Sequence, residues 1–305
     1  MVRLKDIAAE ANVSVMTVSN VVNGNLSKVS KEKADEIQAI LRKRNYVQNA
    51  SARSLAKANS NIVAIMLNIE NENSLSSPHN ATLVGIIIQQ VQALGYYAMV
   101  SLVQNKEDIT RNLRTWNVRG AIFLGMFDDE IEQISTQIKT PAVFIDSYSH
   151  VRQICSVGID DYKGGAMAAN CLLQHGHKQI AFVSPPDMDN GVIHHRLSGF
   201  TDTLLKNGIS ADKLHRFVLL SDNDPAAASD TIDALYSLRH EITAVFATSD
   251  HLAARLMGDL SERGIRIPDE LSVIGYDNMS ICTQIYPHLT SIAQDLHQKA
   301  VVAVE

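Results

Sequence analysis

Apolar residues recur every three or four positions near the start of the chain, in two short stretches separated by a polar turn. The two stripes consist of Leu4, Ile7, Ala8 and Ala11, and then of Val15, Val18, Val21 and Val22. This spacing predicts two short amphipathic helices, and Ser14 in the turn can cap the second one. Two helices at a steep angle across such a turn form a helix-turn-helix, whose second helix is placed to enter the DNA major groove. An ordinary helical hairpin fits the same residues about equally well.

A third helix is predicted for residues 30–45, with Ser30 as its N-cap. Its apolar positions, which would complete a three-helix core, are Ala34, Ile37, Ile40 and Leu41. Residues 49–57 (NASARSLAK) contain good helix formers but are too few to make a helix that is stable by itself in water. This segment can therefore fold only where something holds it, and residues 59–61 then form a linker.

From Ile62 onward, apolar runs with β-branched residues alternate with helical segments. The predicted strands are 62–67, 97–103, 120–125, 142–146, 155–160, 179–184, 215–220, 244–249 and 271–277. The predicted helices are 80–94, 106–116, 129–137, 162–175, 194–207, 225–238 and 250–263. Strands flanked by helices are typical of parallel, doubly wound sheets. So many strands favour two lobes over one open sheet, with a ligand cleft between them at the carboxyl ends of the strands.

The net charge of −6 over 305 residues conceals a difference between the two parts of the chain. Residues 1–60 contain ten Lys and Arg and five Asp and Glu, which leaves 17 basic and 28 acidic residues in 61–305. A basic head on an acidic body fits a head that neutralises phosphates. A solvated run of charge would not explain why the sign changes at a domain boundary.

The three cysteines, Cys155, Cys171 and Cys282, are odd in number and widely separated in apolar surroundings. We expect buried small residues, neither disulfides nor a metal set, and hence a reducing compartment. The N-terminus has the pattern of an amphipathic helix with acids in it, unlike a signal peptide, and the apolar runs are too short to span a bilayer. These features predict a cytoplasmic protein with no membrane association.

Six segments of the chain resemble the LacI/GalR family of transcription regulators in their order and spacing. They are LKDIAAEANVSVMTVSNVVNG (4–24), NASARSLAK (49–57), GGAMAANCLLQHGHKQIAFV (164–183), RLSGF (196–200), TSDHLA (248–253) and RIPDELSVIGYDN (266–278). Each segment is weak evidence alone, but the set is highly specific and spans essentially the whole chain.

The resemblance implies a fold in four parts. An all-α, three-helix helix-turn-helix domain (1–48) precedes a hinge helix and linker (49–60). An α/β core with two lobes follows, like that of periplasmic sugar-binding proteins, with the N-terminal lobe at 61–160 and 292–305 and the C-terminal lobe at 161–291. The resemblance further implies a homodimer that represses a sugar operon. It would read a pseudo-palindromic operator and change its DNA affinity when a small effector binds between the lobes.

The resemblance also implies which residues face DNA: Ser14, Val15, Met16, Thr17, Asn20 and Asn23. Thr17 matches a phosphate contact, which Ser14 and Asn23 can assist, and such contacts fix the register without reading base identity. Of the specificity positions, Asn20 can bond adenine with two hydrogen bonds, whereas Val15 and Met16 offer only apolar contact, for instance to thymine methyls. The alternatives are core packing for Val15 and simple exposure for Met16.

In the family, the hinge helix inserts a leucine into a central pyrimidine–purine step of the minor groove, and Leu55 is the matching residue. Such a wedge partly unstacks the bases and kinks the duplex, a cost that wider contact offsets. Ala52 would let two hinge helices approach closely, and Arg53 would meet phosphate. The alternative is that Leu55 anchors a buried linker, although residues 51–57 have no other apolar face.

The expected effector-binding residues are His79, Asn80, Asp146, Arg196, Asn223 and Asp250. Arg196 matches an arginine that enters the cleft and grips hydroxyls or a carboxylate, and Asp250 can accept from sugar hydroxyls or a purine edge. The alternatives are an interlobe salt bridge or a helix N-cap. Relatives often carry aromatic residues at the positions of His79, Asn80 and Asn223. Their loss favours a sugar or sugar phosphate over a flat purine. Asp277 is expected to brace the C-terminal lobe.

Other classes of function find little support in the sequence. Gly164-Gly165 is not a GxGxxG motif, GFTDTL (199–204) is not a GxSxG elbow and no Walker A motif is present, so we expect no enzyme, no catalytic residue and no cofactor. The pairs His175/His177 and His194/His195 do not share a helix face with further ligands, which argues against a metal. The basic head and the missing signal peptide disfavour a solute-binding protein. A regulator activated by a phosphorylated carrier protein, as in catabolite-control relatives, is the alternative to a small effector.

The sequence stops at Ala303–Glu305, inside a predicted helix. Family members continue for a few dozen residues and return a last strand through the region between the lobes. The sequence is therefore either truncated or lacks that crossover.

We predict that Leu55→Ala abolishes operator affinity while effector binding stays intact, because the wedge that kinks the minor groove is lost. Titration of an operator fragment and of effector with both proteins measures the two affinities. Unchanged operator affinity would count against the hinge helix.

Overall fold

The computed structural model describes residues 2–47, 60–68, 75–103, 106–125, 131, 134, 138–148, 154–186, 191–211, 217–221 and 225–305. The chain divides into two compact units, Met1–Ser60 and Asn61–Glu305. Four of the predicted site residues, Ala52, Arg53, Leu55 and Asn223, lie outside the described residues. No helix within the described ranges is both long enough and apolar enough to cross a membrane.

The described part of the first unit is helical. Its elements are α1 (Leu4–Glu10), α2 (Val15–Val22), a 3-10 turn (Leu26–Lys28) and α3 (Lys31–Lys43). The side chains buried between the helices are Ile7, Ala8, Ala11, Val18, Val21, Ala34, Ile37 and Ile40. Ser14 and Ser30 accept hydrogen bonds from backbone N–H groups three residues later, which confirms both predicted N-caps. The apolar periodicity therefore predicted the three-helix core correctly.

Val15 is the exception in the predicted second stripe. It is 48% exposed, whereas Val18 and Val21 of the same helix are buried. Val15 is the first residue of α2 and follows the N-cap directly, so it lies beyond the edge of the core. The structure thus rejects core packing for this side chain.

The second unit alternates strands and helices. Its elements are β1 (Ile62–Asn68), α4 (Pro78–Ala93), β2 (Tyr97–Val103), α5 (Lys106–Trp116), β3 (Gly120–Leu124), β4 (Ala142–Ile145), β5 (Ser156–Val157), α6 (Asp161–Gln174), β6 (Ile180–Ser184), α7 (Gly191–Lys206), β7 (Val218–Leu220), α8 (Pro225–Ser237), β8 (Ala244–Ala247), α9 (Asp250–Glu262), β9 (Ser272–Asp277), α10 (Ile281–Gln284), β10 (Thr290–Ala293) and α11 (Leu296–Val304). The parallel strands form two five-stranded sheets, ordered β2-β1-β3-β4-β5 and β10-β9-β8-β6-β7. This confirms two lobes with doubly wound sheets.

The chain passes between the lobes after β5 and again after β10. Helix α11 follows the last strand of the second sheet but packs on the first lobe, where Ala300 and Ala303 join the core around Ile65, Leu83 and Ile87. The two lobes are therefore joined by the backbone after β5 and by the segment between β10 and α11.

Three details differ from the sequence-based expectations. Residues 290–293 form an edge strand that was not predicted, because only Ile292 among them is buried and the alternation is too short to detect. The predicted strand at 155–160 is reduced to the two residues of β5. Of the cysteines, which are all free, Cys155 is exposed and only Cys282 is buried, so the expectation of three buried cysteines was wrong.

Two glycines allow helices α6 and α7 to pack with their backbones in contact. A Cβ added at Gly165 would overlap the carbonyl oxygen of Arg196, and one at Gly199 would overlap the carbonyl oxygen of Tyr162. Glycine is the residue that permits such a close approach. This contact fixes where α7 holds Arg196 relative to the start of α6.

We expect Gly165→Ala and Gly199→Ala each to lower the free energy of unfolding by about 1–3 kcal/mol or more, because the added methyl forces the helices apart. The matched control is Gly258→Ala, since this helical glycine has nothing within 4 Å of its Cβ position. Alanine should stabilise that position by about 0.5–1 kcal/mol. Thermal and urea unfolding measure both effects. Equal effects at the three positions would contradict the close packing.

Candidate functional site

The N-terminal end of α2 presents an exposed apolar pair beside polar groups. Val15 is 48% exposed and Met16 is 70% exposed. The hydroxyls of Ser14 and Thr17 lie 2.9 Å apart, and Thr17 N–H donates to Ser14 Oγ over 3.1 Å. The structure therefore brings these predicted DNA-facing residues together at one end of the helix.

Asn20 and Asn23 are half-buried on the same helix and at its end. The side-chain amide of Asn23 donates to the carbonyl oxygen of Ser19 over 2.8 Å, so it also caps the helix. Its predicted phosphate contact must compete with this bond.

The described basic residues of the first unit fall into two groups, of which the first is paired with acids and includes Lys33 with Glu36. Lys43 and Arg44 pair with Glu10, and the hydrogen bond from Arg44 is the largest cause that lowers the pKa of this carboxyl. The other group is exposed and forms no ion pair within the described residues: Arg3, Lys5, Lys28, Lys31 and Arg42. These cations are available to phosphates.

A cavity of about 550 Å³ lies at the carboxyl ends of strands from both lobes of the second unit. It is lined by Leu67, Ser76, Ser77, Pro78, His79, Asn80, Leu83, Leu124, Gly125, Ile145, Asp146, Pro185, Val192, Ile193, Arg196, Ser221, Thr248, Ser249, His251, Leu252, Arg255, Asp277 and Gln294. This size is within the range of small-molecule sites in proteins. The predicted residues His79, Asn80, Asp146 and Arg196 all contribute to the lining.

Arg196 is buried in the wall of the cavity. Its Nε donates to Asp161 Oδ1 over 2.8 Å, its Nη1 donates to the carbonyl oxygen of Thr248 over 2.7 Å, and its guanidinium lies 3.6 Å from the ring centre of Tyr276. Burial opposes the charge, but Asp161 and other neighbours outweigh burial and raise the pKa of Arg196. The residue is therefore a fixed cation. Its salt bridge joins α6 to α7 within one lobe and is not the interlobe bridge considered from the sequence.

A chain of polar contacts crosses between the lobes beneath the cavity. The buried Lys299 donates to both oxygens of Asp146, over 2.7 and 2.9 Å, and to Gln294 Oε1 over 2.7 Å. Gln294 Nε2 in turn donates to Asp277 Oδ1 over 2.6 Å. Asp277 therefore braces the lobe, as expected, but it also lines the cavity, which the sequence did not predict.

Asp250 does not reach the cavity. It is fully buried, and its carboxylate accepts from Ser291 Oγ over 2.5 Å and from Met279 N–H over 2.6 Å. The N-cap of α9 is Ser249, whose hydroxyl accepts from Leu252 N–H. Both interpretations of Asp250, as a ligand contact and as an N-cap, were therefore wrong. The residue ties α9 to the segments around β9 and β10.

Two buried polar atoms have no hydrogen-bond partner among the described residues: His79 Nε2 and Thr248 Oγ1. Both residues line the cavity, and Thr248 is only 1% exposed. An unsatisfied buried polar atom carries an energetic cost that a bound molecule can relieve. These two atoms mark where a polar ligand would bond.

The first and last parts of the chain match family models. Residues 3–49 match bacterial regulatory proteins of the lacI family, and residues 169–305 match a periplasmic binding protein-like domain. The crystal structure of the lac repressor dimer bound to operator and the anti-inducer ONPF is similar over 99% of this chain and 90% of that chain. The TM-score is 0.86 and the sequence identity is 26%. The chain belongs to the lacI family of bacterial regulatory proteins.

Curated relatives match this lacI-family chain over nearly its whole length. Catabolite control protein A of Priestia megaterium is 27% identical over 310 residues, which cover 99% of this chain and 90% of the relative. The HTH-type transcriptional repressor PurR of Vibrio atlanticus (strain LGP32) is 28% identical over 304 residues, or 96% and 87%. These relatives are transcription regulators and not enzymes, and the chain is a DNA-binding transcription regulator of the same family.

Sequence reasoning missed several residues that line the cavity of this lacI-family chain, above all Thr248, His251, Arg255 and Gln294. Thr248 directly follows the buried strand β8, which is the position where ligand contacts are expected in such sheets. His251 and Arg255 are four residues apart on one helix face. Gln294 follows the strand that was not predicted, so no sequence signal pointed to it.

Asp277 predicts a specific pH dependence of stability. Burial is the largest cause that raises its pKa from 3.8 to about 6. The native carboxyl thus holds a proton more tightly than the unfolded one. Its contribution to stability is full below pH 3.8 and is lost as the pH rises through about 6.

We therefore expect the stability of the chain, relative to Asp277→Asn, to fall by about 1–3 kcal/mol between about pH 4 and pH 7. Unfolding measured in steps of pH gives this difference directly. Asp230→Asn, at an exposed position on α8, serves as the control for the loss of a carboxyl group. If the difference in stability between the parent protein and Asp277→Asn does not change with pH, the raised pKa of Asp277 is contradicted.

Proposed function

We propose that the protein is a repressor of a carbohydrate operon whose operator affinity is controlled by a small polar effector, a sugar or sugar phosphate, in the cavity. The observation that carries this proposal is the cavity itself. Both lobes line it, and its lining includes a buried arginine and two residues with unsatisfied buried polar atoms. A ligand bound to both lobes discriminates between their arrangements, which is what control of affinity requires.

On the DNA side, we propose that Val15, Met16 and Asn20 contact base edges, while Ser14, Thr17 and Asn23 contact the backbone. The exposure of Val15 and Met16 supports this assignment, because neither side chain has a role in the core. Ala52, Arg53 and Leu55 remain the proposed hinge contacts.

A homodimer is the proposed assembly. Strand β2 is an edge strand that pairs only with β1 among the described strands, and it exposes Tyr97, Val100 and Leu102. An exposed apolar edge favours association with a second copy. The similar lac repressor is a dimer on its operator, and a twofold dimer matches a pseudo-palindromic site.

A phosphorylated carrier protein is the alternative partner. The likeness to catabolite control protein A favours this alternative. A small effector and a carrier protein are distinguished by whether operator affinity changes with sugars alone or only when the carrier protein is present.

The test uses purified full-length protein and DNA fragments selected from the genome of its source. Operator affinity should fall at least tenfold between 50 and 200 mM salt, roughly as expected for a protein with several phosphate contacts. A panel of sugars and sugar phosphates is then screened for a change in that affinity and for a rise in unfolding temperature.

We expect Thr248→Val to weaken the response to an active effector about tenfold, because the buried hydroxyl no longer bonds the ligand. Thr201→Val is the matched control, since its hydroxyl donates to the carbonyl oxygen of Leu197 and does not line the cavity. Absence of salt-sensitive DNA binding would overturn the proposal. A saturating effector should also change the small-angle scattering profile of the protein and the rate at which a protease cleaves the hinge.

A further inference from the structure

We infer that the effector is anionic: a carbohydrate that carries a phosphate or carboxylate group, held between the first turns of α9 and the start of α4. This inference rests on the proposed function and narrows the ligand class. It follows from the basic side chains that line the cavity, from the partners of its carboxyl groups, and from the polar groups at the two helix starts.

Two basic side chains of α9 support an anionic ligand. His251 and Arg255 lie one helical turn apart and both line the cavity. The only ion pair of Arg255 within the described residues is with Asp259, at 3.8 Å in its own helix. Such an exposed pair contributes little, so the guanidinium is available to a ligand anion, which its planar fork can bind with two hydrogen bonds. Arg196 also lines the cavity, but its charge is paired with Asp161, so it adds hydrogen-bonding capacity more than net charge.

The acids of the cavity are already compensated. Asp146 receives both its hydrogen bonds from the buried Lys299, which neutralises it. Asp277 accepts a hydrogen bond from Gln294. Burial raises its pKa to about 6, so the carboxyl takes up a proton more readily than an exposed one. The described lining therefore repels an anion far less than its two carboxyls suggest.

The helix starts provide the second set of donors. Helices α4 and α9 both begin at the cavity, and each has eight residues or more, which gives the positive end of a helix dipole. The hydroxyl of Ser77, the N-cap of α4, makes no cap bond. Thr248 Oγ1 independently supports a ligand at this position. It is buried just before the start of α9 and has no hydrogen-bond partner among the described residues.

The described part of the lining offers no large aromatic ring for stacking against a ligand. The described lining contains no Phe, Tyr or Trp side chain. The specific contacts that the described lining offers are polar or charged, and charge-assisted hydrogen bonds are the strongest of these.

The experiment is calorimetric titration of the full-length protein with matched probes. Glucose, galactose, mannose and fructose are each compared with their 6-phosphates, the corresponding uronates are included, and inorganic phosphate is the probe for the anion alone. We expect the preferred anionic probe to bind at least tenfold more tightly than its neutral parent, with a preference that decreases as salt increases. Tighter binding of the phosphates identifies a phosphate group, and tighter binding of the uronates a carboxylate. Either result supports the inference.

Variants locate the anion. Arg255→Gln and His251→Gln should each weaken binding of the anionic probe tenfold or more. Binding of its neutral parent should weaken twofold or less. Arg266→Gln is the matched control, because this arginine pairs with Glu270 on the surface and does not line the cavity. It should change neither affinity. Unfolding temperatures of all variants check that they fold.

Two outcomes overturn the inference in distinguishable ways. If neutral sugars bind as tightly as their charged counterparts, the anionic class is wrong while the proposed effector cavity stands. If none of the probes binds and operator affinity responds only to a protein partner, the small-molecule effector of the proposed function fails as well. Equal losses for charged and neutral probes in Arg255→Gln would also contradict the proposed position of the anion.

Discussion

The cavity depends on the buried ammonium group of Lys299, which lies where the chain crosses between the lobes. Lys299 is 4% exposed and its only favourable state is a paired one, because an isolated buried charge is very costly. Asp146 and Gln294 supply that pairing from the ends of strands in different lobes, and Gln294 passes the contact on to Asp277. The ends of β4, β9 and β10 are thus held together, and the floor of the cavity is built from the same residues.

A different set of contacts holds the wall of the cavity in place. Arg196 is oriented by Asp161 and Tyr276, and its helix is placed by the backbone contact between α6 and α7. Tyr148, which follows β4, donates to the other oxygen of Asp161 over 2.8 Å. The position of Arg196 in the cavity wall is therefore set by residues that do not themselves line the cavity. Specificity in this site is a property of its supporting contacts as much as of its lining.

Elements with a strong periodic pattern could be predicted from the sequence, and long-range pairings could not. The helices of the first unit and most strands follow from apolar spacing, because each buries a regular face. Asp250 and Asp277 look alike in the sequence, since both lie at the end of a buried strand. Their difference arises from Ser291 and Met279, which fold against Asp250 and remove it from the cavity. Lys299 and Asp146 are 153 positions apart, and no local signal relates them. The resemblance to a family supplied Arg196, whereas spacing alone offered no reason to choose it.

The backbone contact between α6 and α7 has a mechanical consequence. Side chains that interdigitate between helices form a layer that can readjust, but two glycines that bring backbone against backbone leave no such compliance. A displacement of the arginine on α7 is therefore transmitted to α6 as a rigid-body movement of the pair. Helices α6 and α7 should thus move as one unit, and we expect a rearrangement of the lobes to take place at the chain crossings after β5 and β10.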